Sequence, residues 1–499
     1  MDYQWPKPPD RHIIGTSHTR VDGPDKSAGR AKYTYDATGK GLLAGAILRA
    51  PYANARFVSA DTSAAEAMPG VKAVAVLQKP GTVMHWVGDE VIGVAAVDEG
   101  TAADALKAIK VQWEPMPHFV DDFTEPPKDI PEDTGPLSME DIIGMFSNQV
   151  PESQIASAIG KRGVDFEVTP EIVQRARATG SASVANALEK AERKPAGTGP
   201  KVPYHASQAE TDGNPDQAFQ SAAAVSEGIY GIPVITHCCL ETHGAVAGWN
   251  APDHIDLQIS TQSVSDMPGQ LSRGLEQYGV KIPPTNIHMH QQNVGGGFGS
   301  KFSADRWSSA AALLSKKAGG APVKMMLDRR AELEVAGMRP SGYARVKVAA
   351  DKDGKIVAWD SRSWSTGGST GGGAMPVPYV FQDIPNVRKQ HVSVDTNQGP
   401  SRAWRAPNHP QAAVLTMCPL DDLAAKLNMD PYDFWMKNIG GTQRAREYGE
   451  EFPIADKLMG WKQRWHARGD KTQGPIKRGL GLSIHTWGGR GHESHCDMT

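Results

Sequence analysis

The stretch Gln291–Lys301, Gln-Gln-Asn-Val-Gly-Gly-Gly-Phe-Gly-Ser-Lys, restricts what this chain can fold into more than any other. Its glycines admit positive φ and let main-chain amides approach a ligand or another backbone closely. Successive amides of that kind form a small anion-binding concavity. The residues that follow keep a helical period: Trp307, Ala311, Leu314 and Ala318 recur at i, i+4, i+7 and i+11. Gly319-Gly320 supplies the stop. The spacing therefore predicts a glycine loop feeding a helix over Ser303–Ala318, and a helix N-terminus favours a phosphate. Two familiar phosphate motifs do not match. A P-loop places Gly before its Lys and Ser or Thr after it; here Ser300 precedes Lys301 and Phe302 follows. A dinucleotide fingerprint needs Gly at i, i+2 and i+5; Gly295 and Gly297 fit, and Ser300 does not. On composition alone, a tight surface turn is an equal reading of this loop.

The 499 residues allow two to four domains. A hydrophobic fraction of 39% with 52 Gly and 36 Pro describes a soluble, loop-rich globular protein. The net charge of −3 leaves no basic footprint for nucleic acid. No apolar run approaches the roughly 18 residues of a membrane span. The opening Met-Asp-Tyr-Gln-Trp-Pro-Lys-Pro-Pro-Asp lacks the basic and apolar regions of a signal peptide, so the expected location is cytoplasmic. Cys238, Cys239, Cys418 and Cys496 form no Cys-x-x-Cys pair. An iron–sulfur cluster needs four suitably spaced thiolates, so any such cluster is expected on another chain.

Along the chain, Leu43–Arg49, Val71–Leu77 and Asp89–Val97 read as strands, Thr101–Ile109 as a helix and Val111–Glu114 as a further strand. Residues 115–136 hold six prolines and several acids and read as a linker. The pattern then turns helical. Met139–Val150 carries Ile142, Ile143 and Phe146 on one face, and Glu152–Ile159 carries Ile155 and Ile159. Thr169-Pro170 opens a third helix ending at Gly180, and Ser183–Ala191 is a fourth. A second linker starts at Pro195. Beyond Tyr204 the clearest strands are Asp256–Ser260, Ile287–His290, Ala344–Ala349 and Ile356–Asp360, with an Asp-Gly turn at Asp351–Lys355. Asp421–Leu427 and Tyr432–Lys437 read as helices, and Leu480–Thr486 begins a strand.

Val-Gly-Gly-Gly-Phe-Gly-Ser-Lys, ending at Lys301, resembles the pterin-contacting loop of the molybdenum hydroxylases, the large subunits of the xanthine dehydrogenase and aldehyde oxidase family. Three other stretches match the same family in the same order. They are Arg20-Val-Asp-Gly-Pro with Gly29-Arg-Ala-Lys-Tyr, then Thr236-His-Cys-Cys-Leu-Glu-Thr-His-Gly-Ala-Val-Ala, then Ser401-Arg-Ala-Trp-Arg-Ala-Pro-Asn-His-Pro-Gln. The resemblance runs from about residue 11 to the end, one insertion excepted. It implies an α+β chain with a hammerhead-like α/β domain at 11–120, an inserted helical module at 138–194 and a mixed α/β molybdopterin-binding region at 204–499. It further implies molybdenum held by a pyranopterin (molybdopterin or its cytosine dinucleotide) with no protein ligand to the metal. The implied cofactor contacts are Gln262, Gly295, Gly296, Gly297, Phe298, Gly299, Arg405 and Ala406, and the implied substrate-side residues are Phe302 and Arg339.

The implied activity is hydroxylation of an aldehyde or N-heterocycle with water-derived oxygen, within a heteromer that can itself dimerise, whose 2Fe-2S and FAD centres sit on partner chains. Carbon monoxide dehydrogenases of the family carry Cys where this chain has Ala406, and xanthine-oxidising members carry Glu where it has Phe302. Both differences turn the resemblance away from those substrates. The family's base, a glutamate in a Gly-x-Gly-Glu stretch, has no counterpart here, and the family subunit normally runs further. The sequence therefore reads as C-terminally incomplete, and no catalytic residue is assigned. The alternative is a non-catalytic cofactor-binding fragment, or a partner-binding subunit that needs a second chain. The His492-Glu-Ser-His495-Cys496 spacing fails the His-Glu-x-x-His zinc motif, and His237 and His243 around Glu241 read as buried packing.

Overall fold

Alternating or continuous runs of small and β-branched residues form two large sheets in the computed structural model, beside a three-stranded and a two-stranded one. The structure describes residues 7–130, 135–147, 152–178, 181–194, 203–369, 373, 375–469, 471 and 473–486. The first sheet has seven strands, in the order Ile287–His290, His254–Ile259, Gly244–Ala251, Val323–Met326, Leu43–Arg49, Glu90–Ala96 and Val71–Val76. Strands from the first hundred residues thus share a sheet with strands from beyond residue 240. The joint is parallel, with Leu43 opposite Val323 and Ala44 opposite Lys324. Every residue of Glu90–Ala96 is buried, which explains why the run after Glu90 is apolar rather than alternating; Glu90 itself is paired with Arg49 and Arg306. The helix expected after the glycine loop spans Asp305–Lys317 and packs on this sheet through Trp307, Ala310, Ala311 and Leu314.

The second sheet has six strands. Five run in the order Tyr204–Ala206, Val387–Val394, Ile356–Thr366, Gly342–Ala350 and Ala224–Ile232, and Glu210–Asp212 also pairs with Val387–Val394. The Asp-Gly turn closes as expected: Asp351 accepts from Gly354 and Lys355, and Gly354 has φ +82°. A helix over His409–Lys426 covers this sheet, burying Leu415, Leu420 and Leu423. Only its last turns were legible in the sequence, because Pro410 and Pro419 interrupt the pattern. Pro410 falls in the first turn, where its missing N–H costs nothing, and Pro419 is tolerated inside the helix.

Residues 137–194 form the helices Met139–Ser147, Glu152–Arg162, Pro170–Ala178 and Ala182–Glu189. Their core comprises Leu137, Ile142, Ile155, Ile159, Val164, Val173, Val184, Ala185 and Leu188, with no described residue from outside the segment. Phe146 was expected on the apolar face and instead remains 36% exposed. Gly180, the expected stop of the third helix, lies outside the described residues. The proline-rich residues before this segment lie along the second sheet. Glu125 pairs bidentately with Arg345, Phe119 N donates to Asn397 Oδ1 while Asn397 N donates to Phe119 O, and Arg362 donates to the carbonyls of Pro126 and Pro127. Leu480–Thr486 forms no strand, in contrast to the sequence expectation. It has no ladder partner among the described residues, and it is held instead by burial of Ile484 and by bonds between Thr486 and Tyr379. No helix among the described residues is long and apolar enough to cross a membrane.

Candidate functional site

The glycine loop lies where the first sheet ends, tied to residues far away in sequence. Glu241 accepts from the Gly295 amide at 2.6 Å and from Ser260 Oγ at 2.8 Å, and the Glu241 amide donates back to Gly295 O at 3.2 Å. Gln262 Oε1 accepts from the Gly299 amide at 2.8 Å. Its own amide donates to Lys301 O at 2.8 Å. These bonds leave no room for side chains. A Cβ at Gly295 would come within 3.0 Å of Glu241, one at Gly297 within 3.0 Å of Gln262, and one at Gly299 within 3.0 Å of the Ala403 carbonyl. Gly296 and Gly299 also have φ of +97° and +109°, so the glycines meet both a steric and a conformational demand.

Lys301 is fully buried beneath the loop. Its ammonium donates to Glu241 O at 2.7 Å and Ser260 Oγ at 2.6 Å, and lies 3.8 Å from the Glu241 carboxylate. Burial pulls the Lys301 pKa down, opposed by the nearby carboxylates. This lysine is a strut under the loop, unlike the P-loop lysine that reaches a phosphate. Arg329 ties down the preceding segment through the carbonyls of Cys239 and Leu240. The segment at 29–36 closes another side: Tyr35 N donates to Glu241 Oε1 at 3.3 Å, and Asn293 Nδ2 donates to Lys32 O at 3.0 Å.

The second loop, Ser401–Gln411, docks directly on the first. Arg405 N donates to Phe298 O at 2.7 Å, although 107 positions separate them (405 − 298). Arg402 donates to Ser300 O at 2.9 Å and pairs with both oxygens of Asp305, at the start of the following helix. Burial disfavours the charged Arg402, and the Asp305 pair outweighs this, raising its pKa. His237 stacks on Trp404 at 4.6 Å and faces the carbonyls of Ala403 at 2.8 Å and Gly337 at 3.2 Å. Burial holds its pKa below the usual histidine range. Behind it, His243 bonds Glu332 through both its amide and its ring; burial pushes Glu332 up, and these bonds more than reverse that. Among the described residues, five of the seven non-glycine residues with positive φ belong to these loops and their anchors: Cys238, Phe298, Asp305, Ala406 and Asn408. Backbone strain of this kind collects where a binding surface is held in shape by its surroundings.

The expected site residues fall as follows. Gln262, Gly295 to Gly299, Arg405 and Ala406 sit together along the seam of the two loops. Arg339 is 7% exposed and lies under that seam, donating to Arg405 O at 2.9 Å with its guanidinium 5.0 Å from the Trp404 ring. Burial lowers its pKa, and its Nε has no protein partner. Phe302 lies beyond Lys301, 46% exposed, with its carbonyl held by Gln270; the bonds joining the two loops do not include it. Sequence reasoning missed Glu241, Ser260, Arg402 and His237 as the supports of the site. The matching stretches contain three of the four, and nothing local in them announces which long-range bonds they make.

The amides of Gly296, Gly297 and Phe298 donate to no protein acceptor among the described residues. The same holds for Gln262 Nε2 and for the guanidinium of Arg405, both on exposed side chains of residues whose backbone or carboxamide oxygen is tied to the glycine loop. A run of unpaired amides with an unpaired carboxamide N–H and an unpaired guanidinium is a donor set matched to a large anionic ligand. It fits a pterin bearing a phosphate.

That geometry agrees with the comparisons. Residues 199–439 match the molybdopterin cofactor-binding domain. The aldehyde oxidoreductase molybdenum-binding subunit PaoC of Escherichia coli is 25% identical over 95% of this chain and 57% of its own length. The nicotinate dehydrogenase large molybdopterin subunit of Eubacterium barkeri is 26% identical over 86% of this chain and 90% of its own length. The crystal structure of quinoline 2-oxidoreductase from Pseudomonas putida superposes with a TM-score of 0.62 at 21% identity, covering 90% of this chain and 54% of that one. The match to the molybdopterin cofactor-binding domain thus covers the region that holds both loops. More particularly, the chain is similar to the molybdenum-binding subunits of these oxidoreductases, and it spans 57% of the length of the first of these relatives.

Proposed function

We propose that this chain is the molybdopterin-binding part of an oxidoreductase that hydroxylates an aldehyde or N-heterocycle with water-derived oxygen. The observation that supports it most is the seam of the two loops, which carries three amides and, on Gln262 and Arg405, two exposed side-chain donors that are unpaired among the described residues. In this reading Gly296, Gly297 and Phe298 hold the anionic pterin by their N–H groups, Gln262 orients it, and Arg405 clamps its phosphate. Ala406 and Gly295 keep the two loops in register. When bound, the molybdenum cofactor supplies the two-electron oxidation of the substrate. Arg339 fixes the Arg405 loop from below, and the exposed face of Phe302 contributes to the substrate side. In the same reading, 11–120 is the hammerhead-like domain, 138–194 an inserted helical module and 204–499 the cofactor-binding region. Iron–sulfur and FAD-bearing partners would take the electrons onward, in the cytoplasm.

A second reading is favoured by Glu241. Both its carboxylate oxygens accept protein hydrogen bonds, from Gly295, Ser260 and Tyr35. It therefore supports the loop and is not free to act as a base. The chain then binds the cofactor and draws its catalytic base from additional polypeptide. A single-turnover assay of the cofactor-loaded chain against aldehydes and N-heterocycles separates the two. No product from the chain alone, and product after adding a complementing polypeptide with a positioned carboxylate, is the expected result. Stoichiometric product from the chain alone would place the base within these residues.

A further inference from the structure

A second group of ligand-type side chains sits away from the loops, on the edge of the seven-stranded sheet. Ile287–His290 is the terminal strand and pairs in parallel with His254–Ile259, setting Asp256 opposite His288. Side chains two apart on a strand share a face, so His288 and His290 project together and Asp256 joins them from the neighbouring strand. The two imidazole rings are 4.2 Å apart. Asp256 Oδ1 lies 3.8 Å from His288 Nδ1 and 3.8 Å from His290 Nε2. These separations are too long for direct hydrogen bonds. All three ligand atoms lie within 4.8 Å of one another. The other carboxylate oxygen is occupied: Asn250 Nδ2 donates to Asp256 Oδ2 at 2.9 Å, which leaves Oδ1 turned to the rings.

We propose that Asp256, His288 and His290 form a surface site for a divalent transition-metal ion, with zinc the best match. Imidazole nitrogens select zinc, copper, nickel or iron over magnesium and calcium. Tetrahedral zinc at about 2.0–2.1 Å from each ligand sets neighbouring ligand atoms roughly 3.3 Å apart. The side chains would have to close by only about half an ångström on the aspartate pairs, and being 47–73% exposed they can turn to do so. The remaining coordination position faces solvent. Asn250 acts as the positioning residue, holding the carboxylate so that one oxygen stays free for the ion. The bound ion would clip the terminal strand to its neighbour. The sequence showed His288-Met-His290 only as part of a strand, because the third ligand comes from 32 positions earlier (288 − 256).

Zinc titration of the tag-free 499-residue chain by calorimetry, with cobalt absorption as a second readout, tests this. The expected result is a zinc site whose affinity falls at least about tenfold in each of His288→Ala, His290→Ala and Asp256→Ala, and about tenfold in Asn250→Ala. Zinc should raise the melting temperature of the wild type and not of the ligand variants. Because the three ligands are exposed, the variants should melt like the wild type without metal; His288→Gln replaces any alanine variant that does not. A His492→Ala/His495→Ala variant should keep the site. Absence of zinc binding, binding unchanged in the His288 and His290 variants, or binding lost with His492 and His495 overturns the proposal. The cofactor seam plays no part in this test, so the outcome is independent of the proposed oxidoreductase function.

Discussion

At the scale of single residues, the candidate site is a set of loops held by buried charges that each have a partner. Arg402 is the clearest: its guanidinium joins the second loop to Ser300 and to Asp305 at once. Replacing it by Met leaves Asp305 unpaired in a largely buried setting, a change that costs about 3–5 kcal/mol. The expected outcome for Arg402→Met is a lower melting temperature by calorimetry, and Arg402→Lys should recover only part of it, since an ammonium lacks the planar fork that meets both Asp305 oxygens while reaching Ser300 O. Glu332 gives a pH dependence. Its folded pKa is depressed by the His243 bonds, so it stabilises the fold above its unfolded pKa of about 4.3, and that stability is lost as pH falls through the lower folded value. Melting temperatures from pH 7 down to pH 3 should fall on the acid side in the wild type. The Glu332→Gln variant should be less stable at pH 7 and show a smaller acid-side fall; an identical profile would remove Glu332 from the account.

At the scale of elements, local periodicity carried most of what the sequence made legible. The Leu43–Arg49 and Ile287–His290 strands and the Asp305–Lys317 helix fall where small-residue runs, alternation or the i, i+4, i+7 spacing place them. Elements whose definition depends on a distant neighbour were harder. Leu480–Thr486 has a strand-like composition but no strand beside it among the described residues, and a strand is defined by its ladder. The His409–Lys426 helix was half hidden by two prolines that its packing tolerates. At the site, the glycine loop was legible because glycine signals its own backbone need, while Glu241–Gly295 and Arg402–Asp305 are contacts between segments that no local pattern links. The helical segment shows a further device. Leu137 and Arg193 bridge to Val164 from its two sides, so the two ends of the segment are held one strand apart. Replacing 138–194 by a short Gly/Ser linker should therefore leave both sheets folded, with the amide-exchange protection of Glu90–Ala96 and Gly342–Ala350 retained; loss of protection in either strand would show that the segment is part of the main fold.

At the scale of the whole molecule, the seven-stranded sheet is what makes one site from four separate stretches. It joins the first hundred residues to those beyond residue 240 through Leu43 and Val323. It thereby sets Lys32 and Tyr35, Glu241, the glycine loop and Arg405 around a common seam. The measurement that tests this most directly is the molybdenum and pterin content of the purified chain after loading with cofactor, for wild type, Gly297→Ala and Arg405→Ala. Gly297→Ala forces a methyl group against Gln262, and Arg405→Ala removes the clamp from the second loop. The account predicts about one molybdenum and one pterin per wild-type chain, and at least tenfold less of both in each variant while its circular dichroism stays that of the wild type, a loss of about 1.4 kcal/mol or more in binding. Equal cofactor retention by folded Gly297→Ala and Arg405→Ala chains would contradict it.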